Sequence, residues 1–154
     1  MKEILLSRGK VALVDDSDFE FLNQWKWTCS KKGYAHRRPS HNGKRVTVWM
    51  HKVLLGHFDG RFEDDHKDRN KLNNQKYNLR VATPAQSGMN RSFQAANRSG
   101  YMGVKQSGIR FIARIKVKRK SIYSKSFATP LEAAAEYNRM ATKYFGEWAC
   151  LNEL

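Results

Sequence analysis

An apolar stretch near the start of the chain is followed by an acidic run. The apolar stretch at 10–14 predicts a short strand. The acidic run at 15–18 is rich in residues that cap helix N-termini, so a short helix is expected over 19–25.

A change of pattern marks the next stretch, residues 26–49. β-Branched and aromatic residues, broken by Pro39 and the turn pair Asn42 and Gly43, predict a small antiparallel sheet. Residues 45–50 are apolar enough for a buried strand that leads into one or two helical turns ending at residue 55.

A polar stretch follows at 64–74, and its composition predicts a surface loop. Residues 78–82 predict a brief extended element, and the Thr-Pro pair at 83–84 opens a helix to about residue 90. Small and polar residues at 91–99 predict a linker.

Charged and apolar residues alternate over 110–118, apart from Ile112 on the charged face. The pattern predicts a strand with one cationic and one apolar face, then a charged turn and a partner strand over 121–127. A capping box of Thr129 and Glu132 starts a helix that runs to about residue 145, where Ala134, Tyr137, Ala141 and Tyr144 or Phe145 recur at helical spacing. We therefore expect three short strands backed by one helix.

Together these patterns predict an α+β chain with two domains. The expected division is a first domain over 1–91, a linker over 92–99 and a second domain over 100–154.

Charge indicates the kind of partner. The 154 residues carry 29 Lys and Arg against 14 Asp and Glu, a net charge of +15. Residues 98–154 are the more densely positive part, with 11 basic and 4 acidic groups. An excess of this size favours a polyanionic partner, and above all nucleic acid.

Several classes are excluded at this stage. No apolar run is long enough to span a membrane, and the N-terminus lacks the pattern of a secretory signal, so we expect a cytoplasmic protein. Cys29 and Cys150 have no metal-ligand spacing and are expected to be reduced core thiols. His36, His41 and His57 also lack such spacing and are expected at the surface.

Asp65 and His66 are the strongest candidates for chemistry. Hydrolysis of a phosphodiester needs a divalent cation and a base that activates water. In extended backbone these neighbouring side chains diverge, so Asp65 could face a metal while His66 faces the water.

The segments around this pair resemble the HNH homing-type endonucleases of the ββα-metal superfamily. The matching segments are WMHKVLLG at 49–56, DDH at 64–66, NN at 73–74 and NLRVATPAQ at 78–86, with GKVALVDD at 9–16 and WKW at 25–27. The resemblance implies a β-hairpin and helix around one Mg²⁺ (or Mn²⁺), with Asp65 as metal ligand and His66 as general base. It also implies that Asn78 braces the loop through backbone hydrogen bonds.

The chain departs from the family pattern at Ser87, where Asn or His is the expected second metal ligand. Three explanations stay open: Ser87 binds the ion directly or through water, Asn90 one helical turn later replaces it, or the site is impaired. His51 is a candidate phosphate contact, with a packed or capping role as the alternative, and Arg80 is a further candidate DNA contact.

The second domain resembles the plant ethylene-response-factor (Apetala-type) DNA-binding domain. The matching segments are SGYMGV at 99–104, FIARI at 111–115, SF at 126–127, TPLEAAAEYN at 129–138 and YFG at 144–146. The resemblance implies a three-stranded sheet laid into the major groove of DNA. The expected contacts are Arg110 and Arg114 to bases or backbone, and Lys105, Lys116, Lys118 and Lys125 to phosphates.

These features predict a Mg²⁺-dependent, site-preferring DNA endonuclease of homing type that acts on double-stranded DNA. The alternative is a catalytically impaired DNA-binding protein that retains the nuclease fold, which Ser87 favours. A monomer is expected, with a dimer as the second possibility.

Overall fold

The computed structural model describes residues 1–56, 60–90 and 98–154, and its fold is α+β, as predicted. The chain divides into two compact units, Met1–Ser87 and Gly88–Leu154. Most of the linker predicted at 92–99 and the surface histidine predicted at His57 lie outside the described residues.

The first unit is built from short strands and helices. Its strands are β1 (Lys2–Leu5), β2 (Val11–Val14), β3 (Thr28–Cys29), β4 (Ala35–Arg37), β5 (Ser40–His41), β6 (Lys44–Arg45), β7 (Val48–Trp49), β8 (Glu63–His66) and β9 (Leu79–Ala82). Its helices are α1 (Asp16–Leu22), α2 (Met50–Leu55) and α3 (Pro84–Met89), and a 3-10 turn spans Ser7–Gly9.

All pairings between these strands are antiparallel: β1 with β2, β3 with β4, β4 with β7, β5 with β6 and β8 with β9. One apolar core forms where these elements meet, consisting of Ile4, Leu6, Ala12, Val14, Leu22, Trp27, Ala35 and Met50. The indole Nε1 of Trp27 donates to the carbonyl of Leu22 at 2.8 Å, so the largest core side chain keeps its polar atom satisfied.

Three sequence predictions for this unit are corrected. The helix expected over 19–25 is α1, which begins earlier, at Asp16, and ends at Leu22. The strand expected over 45–50 is reduced to β7, because Arg45 belongs to the β5–β6 hairpin and Val46 is exposed. The surface loop expected over 64–74 begins as strand β8, in which Asp65 and His66 are buried.

The second unit has the architecture expected from its pattern. Strands β10 (Val104–Ser107), β11 (Arg110–Val117) and β12 (Lys120–Phe127) form one antiparallel sheet, followed by helix α4 (Pro130–Phe145). In β11, Ala113 and Ile115 are buried while Arg114 and Lys116 are exposed, as the period of two predicted.

Helix α4 packs against the apolar face of this sheet. The predicted capping box is present: the Thr129 hydroxyl accepts from the backbone N–H of Glu132, whose carboxylate accepts from the backbone N–H of Thr129. Of the two candidates at the end of the helix, Phe145 packs against the core and Tyr144 is exposed.

The charged turn predicted between the two long strands is present and includes Lys118, which the alternating pattern also counted in the strand. Lys118 lies in the turn after β11 rather than on the strand, and both Lys118 and Arg119 have positive φ, at 45° and 67°. These are the dihedrals of a tight hairpin turn.

Cys29 and Cys150 carry free thiols. In the part of the chain that the structure describes, we find no helix with the length and apolar character of a membrane span.

Candidate active site

The β8–β9 hairpin carries the candidate catalytic pair. Its register sets Asp65 opposite Arg80 and His66 opposite Leu79. The Arg80 Nε donates to Asp65 Oδ2 at 2.8 Å, and both side chains are largely buried. Because neighbouring strand residues point to opposite faces, His66 shares a face with Asp64 rather than with Asp65.

His66 is only 4% exposed and is fixed on several sides. Its Nε2 lies 3.5 Å from Asn74 Oδ1, and the amide orientation of Asn74 is supported by its Nδ2, which donates to the carbonyl of Leu72 at 3.2 Å. An amide oxygen can only accept, so this contact requires the proton on Nε2 and leaves the lone pair on Nδ1.

The protonation of His66 follows from its surroundings. Burial lowers its pKa below the ordinary value of 6.5, although the hydrogen bond to Asn74 and the charges of Asp68, Asp65 and Asp64 act in the opposite direction. The ring is therefore neutral near pH 7, which is the form that can take a proton from water.

Asn78 lies at the centre of a hydrogen-bond network below the hairpin and is 1% exposed. Its Nδ2 donates to the carbonyl of Asn73 and to Asp68 Oδ1, both at 2.8 Å, and its Oδ1 accepts from the backbone N–H of Asp68 at 2.9 Å. These contacts are of the bracing kind expected for this residue.

Asp68 was missed by sequence reasoning although it is the hub of the network. Besides Asn78, its carboxylate accepts from Asn73 Nδ2 at 2.7 Å and from the backbone N–H of Asn70 at 2.8 Å. The available signal was the density of Asn and Asp over 64–74, where short side chains that bond to nearby backbone are concentrated.

A second brace ties this loop to the first sheet. Asp15, predicted within a helix-capping cluster, makes no capping bond; its carboxylate instead accepts from Gln75 Nε2 at 3.2 Å and from the backbone N–H of Lys76 at 2.8 Å. Backbone hydrogen bonds between Leu13 and residues 72 and 74 join the same two segments. The position of Asn74, and hence of His66, therefore depends on β2.

His51 lies beside His66, with ring centroids 5.5 Å apart, and is 7% exposed. Burial, and then the neighbouring His66, lower its pKa to about 4. Its Nε2 is 3.8 Å from Asp64 Oδ2, which also pairs with Lys52 Nζ at 3.3 Å. These are the contacts of the packed alternative considered for His51.

A cavity of about 360 Å³ opens next to these residues. Ser87 of α3 lines it, together with His51, Lys52 and Asp64, whereas Asp65 does not. Asn90 is buried and belongs to the second unit. Among the described residues, no group of three or more His, Cys, Asp or Glu side chains is arranged to hold a metal ion.

The candidate DNA contacts of the second unit do not all share one face. Register sets Lys105 of β10 opposite Ile112, so it lies on the same face as Arg110, Arg114 and Lys116. Lys125 differs: its Nζ lies 5.8 Å from the ring centroid of Phe127, which packs against the core on the helix side of the sheet. A bulge in the β11–β12 pairing accounts for this change of face.

Arg110 is held by two hydrogen bonds to a residue of β12. Its Nε donates to Ser126 Oγ at 3.0 Å and its Nη2 donates to the carbonyl of Ser126 at 3.2 Å. The guanidinium of Arg114 lies 5.9 Å from the ring centroid of Tyr123. Both are therefore positioned before any partner binds.

Comparison with known proteins identifies a viral relative. The chain is 30% identical over 152 residues to an uncharacterised HNH endonuclease of Acanthamoeba polyphaga mimivirus, and the match covers 97% of this chain and 80% of the relative. The similarity therefore extends through both units. No protein-family model matches the chain, and no solved structure matches it.

Proposed function

This chain belongs to the HNH endonucleases, and on that premise we propose that it is a Mg²⁺-dependent, site-preferring DNA endonuclease of homing type that hydrolyses phosphodiester bonds. Its substrate is double-stranded DNA, and it acts as a monomer. The observation that carries the proposal is His66, a buried, neutral imidazole held in one tautomer. It lies on strand β8 directly after Asp65 and on the same face as Asp64.

His66 acts as the general base. With its proton on Nε2 and Asn74 accepting, the lone pair on Nδ1 takes a proton from the attacking water. Asn78 and Asp68 are positioning residues, since they hold the loop that carries Asn74. The imidazole thus enters the reaction already oriented.

The donor chemistry fits a magnesium ion. Mg²⁺ in phosphoryl-transfer sites keeps several waters and takes one or two protein carboxylates plus substrate phosphates, so a cluster of protein ligands is not required. The resemblance assigns the carboxylate to Asp65, although Asp64 is the carboxylate that lines the cavity with Ser87; Mn²⁺ would fit the same oxygen donors. When bound, the ion would neutralise charge that develops on the phosphate.

The second unit holds the duplex. Arg110 and Arg114 contact bases or backbone, while Lys105, Lys116 and Lys118 contact phosphates; Lys125, on the helix side of the sheet, is not part of this surface. In the first unit, Arg80 beside Asp65 is the candidate DNA contact, while the neutral His51 packs against His66. The resemblance to the ethylene-response-factor domain and the exposed row of cations on β11 support this division of work.

A second function is favoured by two observations: the chain is a DNA-binding protein with an impaired nuclease site. Ser87 replaces a side chain that binds metal better, and Asp65 is already neutralised by Arg80. Either feature weakens a site for Mg²⁺ without altering the DNA-binding surface.

Plasmid cleavage tests both functions. We expect the full chain to nick or linearise supercoiled plasmid in Mg²⁺ or Mn²⁺, to be inactive in EDTA, and to lose cleavage on His66→Ala. If the native chain is inactive and Ser87→Asn cleaves, the impaired-site function is correct. If neither cleaves although both bind DNA, the endonuclease proposal fails.

A further inference from the structure

A second groove lies in the first unit, with a volume of about 510 Å³. It is bounded by the 3-10 turn Ser7–Gly9, by β3 and the turn after it, and by β4 and β7. The lining residues are Ser7, Arg8, Thr28, Cys29, Ser30, Lys31, Lys32, His36, Arg38 and Trp49.

The groove is lined by cations and hydroxyl groups and by no carboxylate. Arg8, Lys31, Lys32 and Arg38 supply four positive charges. In the described part of the chain, none of the four forms an ion pair with an acidic group. Four neighbouring cations repel one another, so an anion in the groove is favoured.

The groove adjoins the candidate active site. Lys32 and Trp49 line both this groove and the cavity that contains Asp64 and Ser87. A polyanion bound in that cavity would therefore extend directly into the cationic groove.

Trp49 does not offer a free face for stacking a base. Its ring is flanked by His36, Tyr34 and His51, with centroids at 5.2, 5.9 and 6.1 Å. Point charges and hydroxyls without an open aromatic face suit phosphate contacts rather than base recognition.

We propose that this groove binds the phosphate backbone of the DNA duplex to one side of the cleavage site. The inference rests on the proposed function and adds to it a sequence-independent contact in the first unit, separate from the cationic sheet of the second unit. It assigns Arg8, Lys31, Lys32 and Arg38 to substrate binding.

The salt dependence of DNA binding tests whether the cations of the groove contact phosphates. The triple variant Arg8→Gln, Lys31→Gln, Arg38→Gln is compared in the His66→Ala background with a charge-matched control, Lys26→Gln, Lys44→Gln, Lys143→Gln, whose exposed lysines do not line the groove. Fluorescence anisotropy on a duplex should show the logarithmic salt slope reduced by about 2 to 3 in the groove variant, at roughly 0.9 per phosphate contact. The control should change far less.

The alkylation rate of Cys29 reports whether DNA occupies the groove itself. It lines the groove and is half-buried, whereas Cys150 is buried. In a Cys150→Ala background, a saturating duplex should slow alkylation of Cys29 by neutral iodoacetamide several-fold. An acidic peptide of equal charge should protect it less.

The outcomes separate the two proposals. If the native chain neither cuts nor binds duplex DNA, the proposed function and this inference both fail. If it binds and cuts, but the groove variant matches its control or Cys29 stays as reactive as without DNA, only the groove assignment is overturned. Protection by the acidic peptide but not by the duplex also overturns it.

Discussion

Burial controls the protonation of both histidines at the candidate site. His51 and His66 lie in ring contact with each other and with Tyr34, and little of either ring reaches solvent. A charged imidazole there would lose hydration, so both residues have lowered pKa values. Because both rings are neutral in the fold, the stability of the first unit depends on acid more strongly than it would if these histidines were exposed.

The first unit should lose stability in mild acid through His51. Its pKa is about 4 in the fold against 6.5 when unfolded, so the unfolded chain binds more protons between these values and stability falls as pH decreases from 6.5. The loss attributable to His51 is about 1.4 kcal/mol per pH unit.

Urea unfolding at pH 7 and pH 5 measures this effect. A Trp148→Phe background leaves tryptophan fluorescence only in the first unit. The free energy of unfolding should fall by about 2 kcal/mol more in this background than in its His51→Gln derivative. His41→Gln, at an exposed site, is the control. Equal pH dependence with and without His51 would contradict the account.

At the scale of elements, Gly103 determines how closely helix and sheet pack in the second unit. It has φ +70°, and a Cβ placed there would overlap the ring of Tyr137 in α4 and lie 2.9 Å from the carbonyl oxygen of Arg114. Tyr137 is part of the buried core of this unit. Only a residue without a side chain allows this approach.

Gly103→Ala should destabilise the second unit by about 2 to 4 kcal/mol, from overpacking together with left-handed strain. Gly100→Ala separates the two causes, because Gly100 has φ +75° but a Cβ at this position would meet nothing within 4 Å, so about 1 to 2 kcal/mol is expected. Hydrogen exchange of the β10–β12 amides reports on this unit alone. Equal loss of protection in both variants would refute the packing argument.

Local pattern predicted the second unit well and the first unit partly. In β11 the apolar residues recur every second position, and in α4 they recur at the helical spacing of 3.6 after a capping box. These signals lie in consecutive residues and can be recognised without the fold. Strand β8 was missed because its polar side chains form hydrogen bonds to residues outside the strand. His66 contacts Asn74, 8 positions away, and Asp65 pairs with Arg80, 15 positions away.

The candidate site shows the same limit. Asp65, His66 and Asn78 were predicted from motif spacing, whereas the bracing hydrogen bonds of Asp68 and Asp15 were not. Asp15 in particular was predicted to cap a helix, since its partners at 75 and 76 are sixty positions away. Hydrogen-bond partners at this separation are set by the fold and cannot be deduced from spacing.

At the scale of the whole molecule, both units are positively charged, and each presents cations that can meet DNA phosphates. One nuclease site contacts few base pairs, so affinity for a long target must come from further contacts. Tethering a second binding unit raises the effective concentration of the first at the same duplex. On the proposed account, the chain joins one nuclease site to two surfaces that bind DNA.

The most direct test is the single-turnover rate of duplex cleavage in Mg²⁺ as a function of pH, for the native chain, His66→Ala and the exposed-site control His41→Ala. The native chain and the control should share a plateau whose acidic limb lies below pH 6.5, because burial lowers the pKa of His66. His66→Ala should be slower by about 10²- to 10⁴-fold and lack that limb. Cleavage by His66→Ala at the native rate with an unchanged pH profile would contradict the account.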